Sequence, residues 1–274
     1  MIKLLIFQAI EASILAGKAI LEVYSRDFEV KYKEDHSPLT LADKSAHEVI
    51  CRHLSGTGIP VLSEEGTALP YEKRKLWKRF WMVDPLDGTK EFVSRNGDFT
   101  VNIALVEDGF PLAGVIYAPV PELLYFALPG YGAFRVSGSD VEKAGVQSLE
   151  QIIGLAAKLP DNQTNGRFVV VGSRSHLNPE TRTYIEGINQ SKGELTFESR
   201  GSSLKFCTLA EGSADLYPRL GPTMEWDTAA GHAIALLAGC SITDPFTLVP
   251  LIYNKESLLN PCFVVSREQP VNPE

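Results

Sequence analysis

The chain opens on an amphipathic stretch. Leu5, Ala9, Ala12, Ala16, Ala19 and Ile20 recur at helical spacing, interrupted by Lys3, Glu11, Ser13 and Lys18, so the first twenty residues predict a helix with one apolar face. The interruptions are too frequent for a membrane span or a signal-peptide core. Phe28 to Lys33 alternates as a strand does, and His36 to Thr40 reads as a loop. Thr40 is placed to cap a helix running to about Leu54. Ile59 to Leu62 predicts a strand, residues 71–79 a charged connecting helix, and Phe80 to Val83 an apolar strand buried on both faces. Strands follow at Phe99 to Val106, Pro111 to Tyr117, Leu123 to Leu128 and Tyr131 to Val136. This meander predicts an antiparallel sheet carrying helices, an α+β first half.

The pattern then changes. Phe168 to Val171 predicts a strand, Asn178 to Ile188 a helix, Leu195 to Glu198 a strand and Leu204 to Glu211 a helix. Ala214 to Tyr217 is a short strand and Trp226 to Ala238 a long helix. That alternation predicts α/β layering. Polar stretches at Ser137 to Asp140 and Leu159 to Gly166 flank the change, which suggests one domain over residues 1–146 and a second over 147–274 that completes a cleft.

The 274 residues are 44 % apolar and 22 % charged, an ordinary balance for a globular protein. A formal charge of −8 argues against duplex nucleic acid as a partner. It leaves room for a small phosphorylated substrate, because bound cations can supply positive charge locally. Cys51, Cys207, Cys240 and Cys262 form no C-x-x-C pair, so no zinc cluster is indicated; they read as reduced thiols of a cytoplasmic protein. His47-Glu48 with Cys51 and His53 misses the spacing of a zinc-protease helix, and these histidines read as ordinary helix-surface residues.

The candidate chemistry centres on Asp84-Pro85-Leu86-Asp87-Gly88-Thr89. Asp84 stands where the apolar strand ends. Pro85 suits the first corner of a turn, and Thr89 could cap a short helix through Phe92. Two carboxylates three residues apart repel each other unless a cation lies between them, and hard divalent cations such as Mg²⁺ take oxygen ligands of this kind. The helix start beyond them favours an anion. Taken alone, two aspartates at this spacing are more often a capped turn with solvated side chains.

The whole string resembles the signature of the Mg²⁺-dependent, lithium-sensitive inositol monophosphatase superfamily. Leu62-Ser63-Glu64-Glu65-Gly66 upstream and Glu225-Trp226-Asp227-Thr228-Ala229-Ala230-Gly231-His232 downstream resemble its other two motifs. The resemblance implies a layered αβαβα fold. It also implies that two or three Mg²⁺ are held by Glu64, Asp84, the Leu86 carbonyl, Asp87 and Asp227. Ser37-Pro38-Leu39-Thr40-Leu41-Ala42-Asp43 resembles the family segment whose aspartate works with the threonine of D-G-T, which pairs Asp43 with Thr89 in positioning the attacking water. Gly88 and Thr89 are then expected to receive the phosphoryl oxygens.

Gly201-Ser202-Ser203-Leu204-Lys205-Phe206-Cys207, Lys90-Glu91 and Asn254 to Pro261 resemble the bacterial 3′(2′),5′-bisphosphate nucleotidase branch. On that branch Gly201, Ser202, Ser203 and Lys205 offer N–H, hydroxyl and ammonium donors to substrate, joined by Glu64, Leu86, Asp87 and Asp227 from the metal side. The implied reaction is hydrolysis of the 3′-phosphate of 3′-phosphoadenosine 5′-phosphate to AMP, linked to sulfate assimilation. Its phosphosulfate analogue, oligomeric state and a loose association with the inner membrane face stay open. Two rival readings remain, a sugar phosphatase of the same superfamily and a non-catalytic nucleotide sensor. A serine hydrolase built on Ser173 or Ser175 with His176 lacks a G-x-S-x-G elbow.

Overall fold

The computed structural model describes residues 1–32, 38–173 and 177–267. Helix α1 (Ile2–Tyr24) buries Ile6, Ala9, Ile10, Ala16 and Ile20. By length and composition alone α1 could cross a membrane, but this apolar face packs into the protein's own core. Two residues each of β1 (Lys31–Tyr32) and β2 (Pro38–Leu39) form a small hairpin in place of the longer strand predicted from Phe28. Lys33, His36 and Ser37 lie outside the described residues, as do Ser175 and His176. Helix α2 (Leu41–Leu54) begins at Thr40, whose hydroxyl accepts from the Ala42 N–H at 3.1 Å.

The first sheet has seven strands in sequence order: β3 (Val61–Ser63), β4 (Arg79–Asp87), β5 (Thr100–Glu107), β6 (Phe110–Ala118), β7 (Leu123–Leu128), β8 (Gly132–Ser137) and β9 (Ala157–Lys158). Only β3 and β4 are parallel; the others form the expected antiparallel meander. Helix α3 covers only Tyr71–Arg74, shorter than the predicted 71–79 connector. Residues 75–78 form a turn, and the sheet begins at Arg79, which pairs with Glu107. Helix α4 (Thr89–Val93) follows β4. Two further helices, α5 (Gly138–Lys143) and α6 (Leu149–Leu155), precede β9 and were not predicted. The predicted boundary near residue 146 therefore falls between α5 and α6, while the change of sheet comes between Lys158 and Phe168.

The second sheet is mixed, with β10 (Phe168–Ser173), β11 (Leu195–Arg200), β12 (Leu216–Arg219), β13 (Ser241–Thr243) and β14 (Phe263–Ser266) in the order β11-β10-β12-β14-β13. Its helices are α7 (Pro179–Lys192), α8 (Leu204–Glu211) and α9 (Glu225–Leu237). The cores show how the layers stack. Trp81, Val83 and Ile103 face α1 and α2, whereas Phe80, Met82 and Ala104 face α8 and α9. Val169 and Val171 meet the same two helices from the other side, and Val170 turns outward to Tyr184 and Ile188 of α7. The result is the five-layered αβαβα arrangement. Helix α9 lies directly on β6, where a Cβ on Gly114 would stand 2.5 Å from the Ala230 carbonyl oxygen. That contact allows only glycine.

Candidate active site

The ends of β3 and β4 deliver the acidic residues. The Glu64 N–H donates to the Val83 carbonyl at 3.1 Å, which extends the parallel ladder one residue and sets Glu64 beside Asp84. On β4, Asp84 pairs with Asn102 and Asp87 with Thr100, so three steps on β4 oppose two on β5. The extra residue is a bulge. Alternation would send Asp84 and Asp87 to opposite faces; the bulge returns both to the side facing α9. Pro85–Leu86 is thus a bulge within a continuing strand, not the corner of a turn, and a missing N–H does no harm there. Gly88, at φ +90°, ends the strand and stands as the N-cap of α4, so Thr89 is the first helical residue instead of the cap.

Three hydrogen bonds orient these carboxylates. The Leu86 N–H donates to Asp84 Oδ1 at 3.1 Å. Ser202 Oγ donates to Asp87 Oδ2 at 3.0 Å, and the Met224 N–H to Asp227 Oδ2 at 2.8 Å. Asp227 sits in the first turn of α9, where the helix dipole favours a carboxylate. Burial, then the charges of Glu64, Asp87 and Asp227, push the Asp84 carboxyl well above its usual range. Burial and Asp87 do the same to Asp227. Burial also raises Asp87, partly offset by Lys205, Ser202 and Asn102. Buried acids this close, with Glu64, Asp87 and Asp227 raising Asp84, and with Asp87 and Glu64 raising Asp227, suit a shared cation. Among the described residues no three acidic, His or Cys side chains close into a finished cage. An ion here would complete its shell with carbonyl, water or substrate oxygens, as Mg²⁺ does.

Asp43 and Thr89 meet. Thr89 Oγ1 donates to Asp43 Oδ1 at 3.1 Å and lies 3.3 Å from the Leu86 carbonyl. Asp43 Oδ2 accepts from both the N–H and the hydroxyl of Thr40 at 2.7 Å. Burial raises its pKa, while the bonds from Thr40 and Thr89 lower it.

A cavity of about 590 Å³ opens beside these groups. Asp87, Gly88, Thr89, Ser202, Lys205 and Asp227 line it. Gly201 and Ser203 do not. Gly201 donates its N–H to Asp98 Oδ2 at 3.1 Å, and Ser203 is buried against Thr100 and Asn102. The predicted row of exposed donors thus reduces to Ser202 and Lys205. Lys205 donates to the Ser202 carbonyl, and burial pulls its pKa down to about 8 against the pull of Asp87.

Sequence reasoning missed Arg219, Asn178 and Tyr217, which also line the cavity. It also missed Thr100 and Asn102, whose only signal was a polar residue at alternate places in an apolar strand. His47 is not a plain surface residue: one ring nitrogen lies 2.9 Å from Ser63 Oγ, next to Glu64.

The family model described as the inositol monophosphatase family matches residues 2–265. The chain belongs to that family. It is similar to 3′(2′),5′-bisphosphate nucleotidase CysQ of Shigella flexneri, 48 % identical over 92 % of this chain and 95 % of the relative. The Escherichia coli (strain K12) protein of the same name is 47 % identical over the same shares. Among solved structures, CysQ from Bacteroides thetaiotaomicron, described as a bacterial member of the family, is 49 % identical. It superposes at a TM-score of 0.89 over 96 % of this chain and 97 % of that one. Extragenic suppressor protein suhB from Bartonella henselae, at 24 % identity and TM-score 0.74, shares the family fold.

Proposed function

We propose that this chain is a 3′(2′),5′-bisphosphate nucleotidase. It hydrolyses the 3′-phosphate of 3′-phosphoadenosine 5′-phosphate to AMP and phosphate, in support of sulfate assimilation. The observation that carries this reading is whole-length similarity at 47–49 % identity to three CysQ proteins. The supporting geometry is a cavity lined both by the acids Asp87 and Asp227 and by the cations Lys205 and Arg219.

Glu64, Asp84, the Leu86 carbonyl, Asp87 and Asp227 would hold two or three Mg²⁺. When bound, the cations supply Lewis acidity, making water a better nucleophile and offsetting charge on the leaving oxygen. The chain's own residues do the rest. Thr89 Oγ1 donates its hydrogen bond to Asp43, so its lone pairs are free to accept a hydrogen bond from the attacking water. As the water attacks, its proton passes to the threonine oxygen while the threonine proton passes to the Asp43 carboxylate, which burial makes a better base. Gly88 and Thr89 border the phosphoryl group. Lys205 and Arg219 place positive charge where the second phosphate of a nucleotide bisphosphate would lie. Gly201 and Ser203 support this turn from behind. The free thiols of all four cysteines fit a reducing compartment, and we assign the protein to the cytoplasm on that basis.

Asp84→Asn tests the reading. It should abolish phosphate release while the melting temperature stays within a few degrees; full activity in a folded variant would refute it.

A further inference from the structure

Asp87 is tied to the second half of the chain through a ring of close polar contacts. Its Oδ2 accepts from Ser202 Oγ at 3.0 Å and from Asn102 Nδ2 at 3.3 Å. Behind these donors, Ser202 Oγ lies 2.7 Å from Thr100 Oγ1, and Thr100 Oγ1 lies 2.8 Å from Ser203 Oγ. Ser203 Oγ donates to Asn102 Oδ1 at 2.8 Å, which closes the ring. Thr100, Asn102 and Ser203 are 0 %, 1 % and 1 % exposed. None of the three lines the cavity.

The directions follow from proton counting. Ser202 has one proton and an ionised Asp87 can only accept, so the Ser202 hydroxyl points at Asp87. Thr100 must then donate to Ser202, so its contacts with Ser203 Oγ at 2.8 Å and Asn102 Oδ1 at 3.1 Å are packing contacts that use no proton of its own. Asn102 takes the Ser203 proton on its oxygen, which turns its amide NH₂ toward Asp87. Both donors land on the same oxygen, Oδ2. The ring is further clamped because Gly201 has no room for a Cβ, which would stand 2.7 Å from the Asp98 carbonyl oxygen.

We infer that Thr100 and Asn102 are positioning residues that fix the rotation of Asp87, leaving Oδ1 to face the cation, so that they set metal affinity without touching substrate. The inference rests on the reading that Asp87 ligates metal. Partners behind a ligand typically change metal affinity by about 10–100-fold.

The test is Mg²⁺ binding by calorimetry on the full chain, beside phosphate release. Thr100→Val keeps the shape and removes the hydroxyl; the Mg²⁺ Kd should rise about tenfold, and Thr100→Ser should return it to within about threefold of the parent. Thr208→Val is the control, since Thr208 Oγ1 bonds only the Leu204 carbonyl within α8, and it should leave the Kd unchanged. If Thr100→Val does not fold, Asn102→Ala removes one donor to Asp87 directly and should weaken Mg²⁺ to a similar degree. An unchanged Kd in the folded variant, or equal weakening in the Thr208 control, overturns the inference. A parent that binds Mg²⁺ tightly but releases no phosphate from the nucleotide leaves the inference standing and removes the proposed activity. A parent that hydrolyses the nucleotide while Thr100→Val binds Mg²⁺ as tightly removes the inference alone.

Discussion

Thr89 Oγ1 and Asp43 Oδ1 are joined at 3.1 Å across the junction of α4 and α2, although 46 residues separate them in the chain. The contact depends on the α2 cap, because Asp43 also holds the Thr40 N–H and hydroxyl. One carboxylate therefore holds both the helix cap and the Thr89 hydroxyl. Thr89→Val should lower kcat by about 10²–10⁴-fold, the usual share of general base catalysis, with little loss of stability. Asp43→Ala should add about 1 kcal/mol of destabilisation from the lost cap. Steady-state kinetics with urea unfolding on both variants separates the two effects.

The acids make stability depend on pH in a definite direction. Asp84 and Asp227 have folded-state pKa values raised well above the ordinary carboxylate value of 3.8. The folded protein therefore holds protons that the unfolded chain gives up, and stability falls as pH rises through the raised values. Without divalent cation, the melting temperature should drop from pH 5 to pH 8. Added Mg²⁺ should recover it, and by more at pH 8 than at pH 5. Thermal scans with chelator and with Mg²⁺ check this; a Mg²⁺ gain independent of pH would count against it.

Lys205 should control the upper pH limit of substrate binding. Its pKa is lowered to about 8, chiefly by burial, so its charge is lost as pH rises through that value. KM for the nucleotide should climb above pH 8. A charged hydrogen bond contributes about 1.5–3 kcal/mol, so Lys205→Met should raise KM at pH 7 by roughly 10–100-fold and show no further rise across pH 8. KM measured from pH 6 to pH 9 for both proteins decides.

A brace behind the site should be needed for stability. Glu225, 0 % exposed, accepts the Asn254 N–H at 2.6 Å, the Lys255 N–H at 3.1 Å and the Lys255 ammonium. Arg74 closes the other side of that loop through the Asn254 side chain and the Lys255 and Glu256 carbonyls. Breaking a buried ion pair from one side costs about 3–5 kcal/mol, so Glu225→Ala should lower unfolding stability by about that amount. Urea denaturation measures it.

Much of this was legible in the sequence where local physics decides. The α2 cap follows from Thr40 and Asp43 at capping-box spacing, and the meander from alternation between Phe99 and Val136. Asp84 and Asp87 stood out as two carboxylates on adjacent backbone, but it was the resemblance of three separate motifs to the family that joined them with Glu64 and Asp227. The bulge was misread as a turn because Pro, Asp and Gly are turn residues, and only pairing with β5 shows that the ladder resumes at Asp87. Strands β13 and β14 are short, and they are held by pairing with each other and with β12 and by the core contacts of Ile242, Phe263 and Val265, none of which a short apolar run announces. The brace joins Arg74 to residues about 180 positions away, and the ring joins Thr100 to Ser202. Contacts of that range leave no local pattern.

The central claim is tested most directly by phosphate release from the purified protein with Mg²⁺, comparing 3′-phosphoadenosine 5′-phosphate with inositol 1-phosphate, each with and without Li⁺. The account predicts strong preference for the nucleotide and inhibition by Li⁺. Equal or reversed preference would contradict the nucleotidase and leave a sugar phosphatase of the same family; no release from either, with Mg²⁺ still bound, would leave a nucleotide sensor.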